Sequence, residues 1–151
     1  MKIVSMSCIH LDEVAELEKE CFVHPWSRDS LDEYLNNPSA YFFVAIDDNK
    51  KVLGYVGTYI ICDEAYVTNV AVSKGARRQG IGHALIERAV ENARQNRASF
   101  ISLEVRFSNM PAIGLYKSFE FISEGVRPNF YRDPEEDALI MTKRFERGLG
   151  I

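Results

Sequence analysis

The segment 67–95 constrains the fold more than any other part of the chain. An apolar strand, a loop that carries two glycines and an amphipathic helix follow one another there. Such a loop exposes backbone N–H groups at a helix N-terminus, where unpaired donors and the helix dipole favour an anion. Two glycines leave the backbone open to a ligand, and two arginines add positive charge. The segment therefore predicts a phosphate cradle. Its loop consists of Arg77, Arg78, Gln79, Gly80, Ile81 and Gly82.

Two nucleotide-binding fingerprints and an ordinary turn compete with this interpretation. A dinucleotide-binding unit has the same strand, loop and helix, and Glu104 at the end of the next strand would be its acidic residue. However, Leu85 occupies the third glycine position, and the remaining chain is too short for the further βαβ units of a doubly wound domain. A Walker A loop fails because no Gly-Lys-Ser or Gly-Lys-Thr triplet follows. An ordinary strand-to-helix turn stays open on the loop alone.

The length of 151 residues predicts one domain over 1–151 with a sizeable core. No apolar run approaches the roughly 18 residues of a spanning helix, and the N-terminus lacks the apolar centre of a secretory signal. We therefore expect a cytoplasmic protein without a membrane partner. Cys8, Cys21 and Cys62 lack paired spacing and are expected as reduced thiols. The formal net charge of -4 argues against direct nucleic-acid binding and suits a cationic partner better.

The periodicity of apolar residues predicts an α/β (α+β) fold with a mixed sheet of about seven strands and helices on both faces. Ser27 is placed to cap the second helix. Helices are predicted over 10–22, from 27 onwards, after the glycine loop and over 108–119. Strands are predicted over 2–6, 41–46, 52–61, 67–72, 100–105, 121–127 and 138–143, with 128–134 as a polar and aromatic connection.

Three polar residues near the second half of the sheet are candidates for chemistry. Glu104 alternates with apolar residues along its strand, so it faces the other side of the sheet from them. Partial burial would suit a general base, whereas exposure would leave a solvated carboxylate. Tyr116 lies at core spacing in the next helix, where packing is one explanation; a phenol can also protonate a thiolate leaving group. Asn109 near the start of that helix is either a cap or a partner for an amide-bearing ligand.

Metal and covalent chemistry find little support in the sequence. Cys21 and His24 have ligand-like spacing without a second pair, so no metal is expected. None of the cysteines lies in the context of a nucleophile, and a buried structural thiol is the default. His83 directly follows the glycine loop and is expected as a first-turn helix residue rather than a general base.

Together these segments resemble the GNAT family of acetyl-CoA-dependent N-acetyltransferases over nearly the whole chain. The matching motifs are Val70-Ala71-Val72, Arg77-x-x-Gly80-x-Gly82, Leu103-Glu104-Val105-Arg106 and Asn109-x-x-Ala112-x-x-Leu115-Tyr116. Segments 22–27, 103–106 and 129–131, with 136–138, are similar to one subfamily, the ribosomal-protein-alanine N-acetyltransferases (RimI type).

The resemblance implies a mostly antiparallel sheet that is splayed between its fourth and fifth strands, with acetyl-CoA in the cleft. Pantetheine would pair with the backbone at Val70, Ala71 and Val72, pyrophosphate would lie on the amides from Arg78 to His83, and Asn109 would contact the cofactor's arm. Glu104 would take a proton from the substrate ammonium through water, and Tyr116 would protonate the departing CoA thiolate. No acyl-enzyme is implied, and an N–H near Val70 or Ala71 would polarise the thioester carbonyl.

The resemblance also implies the acceptor, which is the α-amine of a protein N-terminus, specifically an alanine of a small-subunit ribosomal protein. Trp26 and Tyr131 would clamp that peptide, although aromatic clusters of this kind also pack loops against sheets. A small amine, an aminoacyl group or a lysine side chain stays open as the acceptor, and so does a non-catalytic acyl-CoA-binding module. The oligomeric state is not predicted.

Three positions depart from the family pattern. Glu120 stands where the family usually has glycine, and Gly75-Ala76 replaces an aromatic-bearing approach to the arginines. Phe130 stands where the subfamily often has tyrosine, which removes a hydroxyl from the implied peptide site.

Overall fold

The structure is a computed structural model and describes residues 1–146. Its helices are α1 (Leu11–Cys21), α2 (Arg28–Leu35), α3 (Ile81–Gln95) and α4 (Met110–Ser118), with short 3-10 turns at Cys8–His10 and Lys74–Ala76. Its strands are β1 (Lys2–Ser5), β2 (Ala40–Ile46), β3 (Val52–Ile61), β4 (Glu64–Val72), β5 (Phe100–Arg106), β6 (Ile122–Tyr131) and β7 (Glu136–Arg144). Within this part of the chain, no helix is long and apolar enough to cross a membrane.

The seven strands form one mixed sheet in the order β1-β2-β3-β4-β5-β7-β6. Every neighbouring pair is antiparallel except β4 and β5, which are parallel. A parallel pair needs a crossover connection, and α3 provides it. The predicted mostly antiparallel sheet is confirmed.

Helices cover both faces of this sheet because successive side chains of each strand point to opposite sides. Phe43 and Ala45 of β2 belong to the apolar core that includes α3. Phe42 and Val44, one residue out of phase, belong to the core that includes α1 and α2. The predicted two-sided arrangement is therefore confirmed.

The fourth and fifth strands separate soon after they begin to pair. Their ladder runs only from Glu64 opposite Phe100 to Tyr66 opposite Ser102. β4 continues to Val72 and β5 to Arg106 without pairing with each other. The predicted splay is confirmed, and it opens a cleft in the middle of the sheet.

The ends of two helices follow from their capping residues. The Ser27 hydroxyl accepts from the Ser30 N–H at 3.1 Å and starts α2, as predicted. The Asn109 side-chain oxygen accepts from the Ala112 N–H at 3.3 Å, so α4 begins at Met110 rather than at the predicted Ser108.

The prediction that 128–134 is a connection was wrong for its first half. β6 continues through Pro128 and Asn129 to Tyr131. β6 lies at the edge of the sheet, where a proline removes no ladder hydrogen bond. Asn129 has a positive φ of 53°, and the register with β7 shifts between Arg127 and Tyr131. This irregularity lets the strand continue past Pro128. Because Pro128 and Asn129 are typical of turns, the sequence did not indicate a strand there.

The backbone conformation at Glu120 explains why the family usually has glycine at this position. It follows the end of α4 with a φ of 69°, in the left-handed region that costs a residue with a Cβ atom about 1–2 kcal/mol. We expect Glu120→Gly to raise the free energy of unfolding by about 0.5–1 kcal/mol in urea denaturation. Its ion pair with Lys143, 3.7 Å long and with Glu120 exposed, contributes little. Glu120→Ala, which keeps the Cβ atom, is the control, and an equal gain there would contradict the backbone explanation.

Candidate active site

The splayed strands enclose a cleft of about 610 Å³. Its walls come from β4, β5, α4, the end of α1 with the α1–α2 loop (residues 22–27), and the end of β6 with the β6–β7 turn (residues 132–135). The structure brings six of the predicted site residues together here. They are Trp26, Val70, Glu104, Asn109, Tyr116 and Tyr131.

Glu104 lies on the cleft side of β5 with its side chain 31% exposed. Its neighbours Leu103 and Val105 are buried in the core, which fixes the direction of the strand face that carries the carboxylate. Glu104 Oε1 lies 3.1 Å from Arg127 Nε of β6. The carboxylate thus has a cationic partner and still reaches the cleft, where it can accept a proton.

Tyr116 presents a buried phenol to the same cleft. Burial, and secondarily the nearby Tyr131, raise the pKa of Tyr116 to about 12. Burial, followed by the charge of Glu104, also raises the pKa of Tyr131 to about 12. Tyr131 therefore lies within electrostatic range of both Glu104 and Tyr116. A phenol with this pKa stays protonated at neutral pH and can serve as a proton donor.

A hydrogen bond joins the two loops at the mouth of the cleft. His24 Nε2 of the α1–α2 loop lies 2.6 Å from Asp133 Oδ2 of the β6–β7 turn. Two residues along, the Trp26 ring stacks on Tyr34 of α2 with 4.5 Å between centroids. These contacts place aromatic surface beside the reactive groups.

Arg106 holds the β6–β7 turn against the sheet. Its Nη1 donates to the Pro134 carbonyl at 2.9 Å, and its Nη2 donates to the Arg132 carbonyl at 3.0 Å. The guanidinium also lies 4.5 Å from the ring centroid of Tyr131. Arg106 therefore fixes the aromatic wall of the cleft, together with Phe130, whose ring lies edge-on to Tyr131.

The glycine loop has the properties of an anion site. Gly80 has a φ of 78° and precedes α3, which starts at Ile81. Within residues 1–146, no backbone carbonyl accepts a hydrogen bond from the N–H groups of 78–83. Arg77 is exposed next to them, and its Nε donates to the Val72 carbonyl at 3.2 Å. Free donors at a helix N-terminus beside a cation fit a pyrophosphate.

The cradle adjoins the cleft but does not line it. Arg77, Arg78, Gln79, Gly80, Ile81, Gly82 and His83 all lie outside the lining, as do Ala71 and Val72. A Cβ atom added to Gly82 would lie 3.9 Å from Val72 Cγ2, so the cradle lies directly beside the end of β4. The Ile81 side chain packs in the core, and His83 lies against the Phe119 ring at 4.6 Å. Only backbone atoms of Ile81 are therefore available to a ligand.

Asn109 lines the cleft in addition to capping α4, so both alternatives for this residue stay compatible with its position.

In the described part of the chain, no group of three or more His, Cys, Asp or Glu residues could hold a metal ion.

The sequence analysis missed two polar residues of the site. Arg127 is the ion partner of Glu104, and no motif marks it. Glu18 of α1 lines the cleft and is only 1% exposed. It accepts from the Trp26 N–H at 2.9 Å and from the Tyr55 hydroxyl at 2.7 Å. Its position on the inward, otherwise apolar stripe of α1 was the available signal, since carboxylates are rarely buried without a reason.

Comparison with known proteins identifies relatives with names that describe an activity. A Bacillus subtilis (strain 168) protein, provisionally named a ribosomal protein bS18-alanine N-acetyltransferase, is 44% identical over 87% of this chain and 87% of its own length. The ribosomal protein bS18-alanine N-acetyltransferase of Escherichia coli (strain K12) is 33% identical over 92% of this chain and 94% of its own.

A solved structure shows the same fold. The crystal structure of the ribosomal-protein-S18-alanine N-acetyltransferase from Escherichia coli superposes with a TM-score of 0.89 at 29% identity, over 99% of this chain and 97% of the other. Residues 11–121 match the sequence profile of the acetyltransferase (GNAT) family. The chain belongs to the acetyltransferase (GNAT) family and is an N-acetyltransferase.

Proposed function

We propose that the chain transfers an acetyl group from acetyl-CoA to the α-amine of a protein N-terminus, with the N-terminal alanine of ribosomal protein bS18 as its acceptor. The observation that carries this proposal is the cleft that Glu104 and the buried Tyr116 both line, together with aromatic residues of the α1–α2 loop and of the end of β6. The names of the Bacillus subtilis and Escherichia coli relatives support the acceptor. Because ribosomal proteins are made in the cytoplasm, the same proposal places the chain there.

The glycine loop and the free edge of β4 would hold acetyl-CoA. The N–H groups from Arg78 to His83 would bind its pyrophosphate, and Arg77 would add charge. The backbone from Val70 to Val72, beyond the β4–β5 ladder, would pair with pantetheine, and Asn109 would contact the cofactor's arm. Acetyl-CoA supplies an activated acetyl group as a thioester. An N–H near Val70 or Ala71 would stabilise negative charge on the carbonyl oxygen.

Glu104 and Tyr116 divide the proton transfers between them. Glu104 takes the proton that the substrate ammonium must lose before its nitrogen can attack, with water as intermediary. A free α-amine has a pKa of about 8, so modest help is sufficient at neutral pH, whereas a lysine amine needs more. Tyr116 gives its proton to the leaving thiolate. The thiolate forms in the same buried environment as the phenol. Burial therefore raises the pKa of the CoA thiol as it raises the pKa of Tyr116.

Trp26 and Tyr131 would hold the acceptor peptide between the α1–α2 loop and the β6–β7 turn. Both side chains line the cleft, and the contact between His24 and Asp133 connects the α1–α2 loop to the turn that follows Tyr131. Phe130 adds apolar surface to this wall, with 47% of the residue exposed.

Gly80 offers a separate test of the acetyl-CoA site. At its φ of 78°, a β-branched residue is strained, so Gly80→Val should displace the amides of the loop. We expect acetyl-CoA to bind at least about tenfold more weakly by calorimetry, since one charge-assisted hydrogen bond contributes about 1.5–3 kcal/mol. Gly75→Ala is the matched control, because a Cβ atom there would meet nothing within 4 Å. Equal affinity in both variants would remove the loop from the site.

CoA thiol release from acetyl-CoA tests the acceptor class. An alanine-initiated peptide with an internal lysine is compared with the same peptide blocked at its α-amine, and with small amines. Release only with the free N-terminus supports the proposal. Release with the blocked peptide moves the reaction to lysine, and release only with small amines removes the protein acceptor. Tight CoA binding without release from any amine would indicate a binding module instead.

A further inference from the structure

Glu18 is a buried carboxylate without a cationic partner. It is 1% exposed, yet within residues 1–146 no Lys, Arg or His nitrogen forms an ion pair with it. Arg77 donates to the Cys21 sulfur and the Val72 carbonyl instead. Buried charges are normally paired, because removing an ion from water is costly.

The hydrogen bonds of Glu18 do not neutralise its charge. All the hydrogen-bond partners of Glu18 are neutral donors: the Trp26 N–H, the Tyr55 hydroxyl and, at 3.4 Å, Asn69 Nδ2. A glutamine could accept from the Trp26 N–H equally well. Its amide could also donate to Asn69 Oδ1, a buried oxygen that has no partner in the described structure. A glutamine would, however, leave the Tyr55 hydroxyl without its present acceptor, so these contacts suit a carboxylate but include no cation that neutralises its charge.

The cleft gives a ligand access to the charge of Glu18. Glu18 lines it, and so does Glu104, but Glu104 already pairs with Arg127. The charge of Glu18 reaches the lining: burial raises the pKa of the Cys21 thiol, and the charges of Glu20 and Glu18 raise it further, against the lowering effect of Arg77. Arg106 and Arg132 also line the cleft, so the attraction is local: a cation that reaches Glu18 would meet a negative charge in a low-dielectric surrounding.

We propose that Glu18 is a positioning residue whose uncompensated charge selects and orients the ammonium form of the acceptor, and whose hydrogen bond to Trp26 holds the α1–α2 loop over it. The inference rests on the proposed function, since it assumes an α-amine acceptor. That amine is mostly protonated at neutral pH, with a pKa of about 8. The substrate itself is then the counter-ion that the fold lacks.

The role predicts a particular division of effects between binding and turnover. Glu18→Gln removes the attraction and should raise the KM for an alanine-initiated peptide about tenfold. It should not lower kcat, because without the negative charge the bound ammonium loses its proton more easily. Acetyl-CoA affinity should stay unchanged. A merely structural role would instead lower kcat and melting temperature together.

The decisive test compares a charged with an uncharged peptide. The affinities of an alanine-initiated peptide and of its N-acetylated form are measured by calorimetry, with CoA present so that no turnover occurs. We expect Glu18→Gln to weaken the free-amine peptide about tenfold and to leave the acetylated peptide within about twofold. Glu16→Gln, on the exposed side of the same helix, should change neither. An equal loss for both peptides, or no change in their ratio, would overturn the inference.

The wild-type protein provides a second criterion that needs no variant. It should bind the free-amine peptide more tightly than the acetylated one, and equal affinities would overturn the role of Glu18. Binding of neither peptide to the wild type would overturn the proposed protein acceptor, and this inference with it. If the wild type binds the free-amine peptide more tightly than the acetylated one and Glu18→Gln keeps the same ratio of the two affinities, only the inference about Glu18 is overturned.

Discussion

Tyr116→Phe is expected to lower kcat about 100-fold, which is the lower end of the range expected when a positioned general acid is lost. The substitution removes only a hydroxyl from a residue that lines the cleft and is 7% exposed. Within residues 1–146 no hydrogen bond of that hydroxyl is found, so its removal breaks no network. Without the proton donor, the thiolate must leave as a free anion in a buried site, which is unfavourable. Stopped-flow or steady-state thiol release measures the effect, and acetyl-CoA affinity should stay within about twofold.

A matched tyrosine separates chemistry from packing. Burial raises the pKa of Tyr59 to about 12, as it does for Tyr116, but Tyr59 lies outside the cleft. Tyr59→Phe should therefore leave kcat unchanged. Because the pKa of Tyr116 is about 12, the wild-type kcat should show no falling limb from this group between about pH 7 and 10. A Tyr116→Phe variant with wild-type kcat would remove the residue from the proton-donor role.

Glu104→Gln is expected to lower kcat/KM about 100-fold to 1,000-fold at pH 7. Glutamine keeps the shape of the side chain and can still accept from Arg127 Nε, which lies 3.1 Å away in the wild type. It cannot take a proton from the substrate ammonium. The deficit should shrink as the pH rises towards 9, because an α-amine with a pKa of about 8 then loses its proton without help.

Two further variants test this interpretation of Glu104. Arg127→Ala removes the ion partner but keeps the carboxylate, so we expect a change of less than about tenfold. Glu64→Gln, at the opposite end of the β4–β5 pair, should behave like the wild type. A Glu104→Gln deficit that is the same at pH 7 and pH 9 would contradict the proton-acceptor role and indicate a structural effect.

The secondary structure was predictable where local patterns decide it. Helical spacing predicted a helix after the glycine loop, and the apolar residues that recur on one side of α3, Leu85, Ile86, Ala89, Val90 and Ala93, are all buried. Ser27 was recognisable as a cap because its side chain interacts only a few residues along the chain. β6 was not predicted in full, because Pro128 and Asn129 suggest a turn and only the edge position of the strand explains their presence.

The site was predictable only in the parts that motifs or strand alternation mark. Alternation placed Glu104 opposite its apolar neighbours, and the resemblance drew attention to Tyr116. The Arg127 partner, by contrast, depends on the register between β6 and β7, which sequence does not show. Glu18 depends on which helix face covers the cleft. Its three donors come from the α1–α2 loop, β3 and β4, so long-range packing alone brings them together.

The position of the acetyl group on the product tests the central proposal most directly. Unacetylated ribosomal protein bS18 is incubated with the protein and acetyl-CoA, and the product is fragmented in a mass spectrometer. We predict a single acetyl group on the N-terminal alanine, formed at least about 100-fold more slowly when Glu104→Gln replaces the wild type at pH 7. An acetyl group on an internal lysine with a free N-terminus, or an unmodified protein, would contradict the proposal.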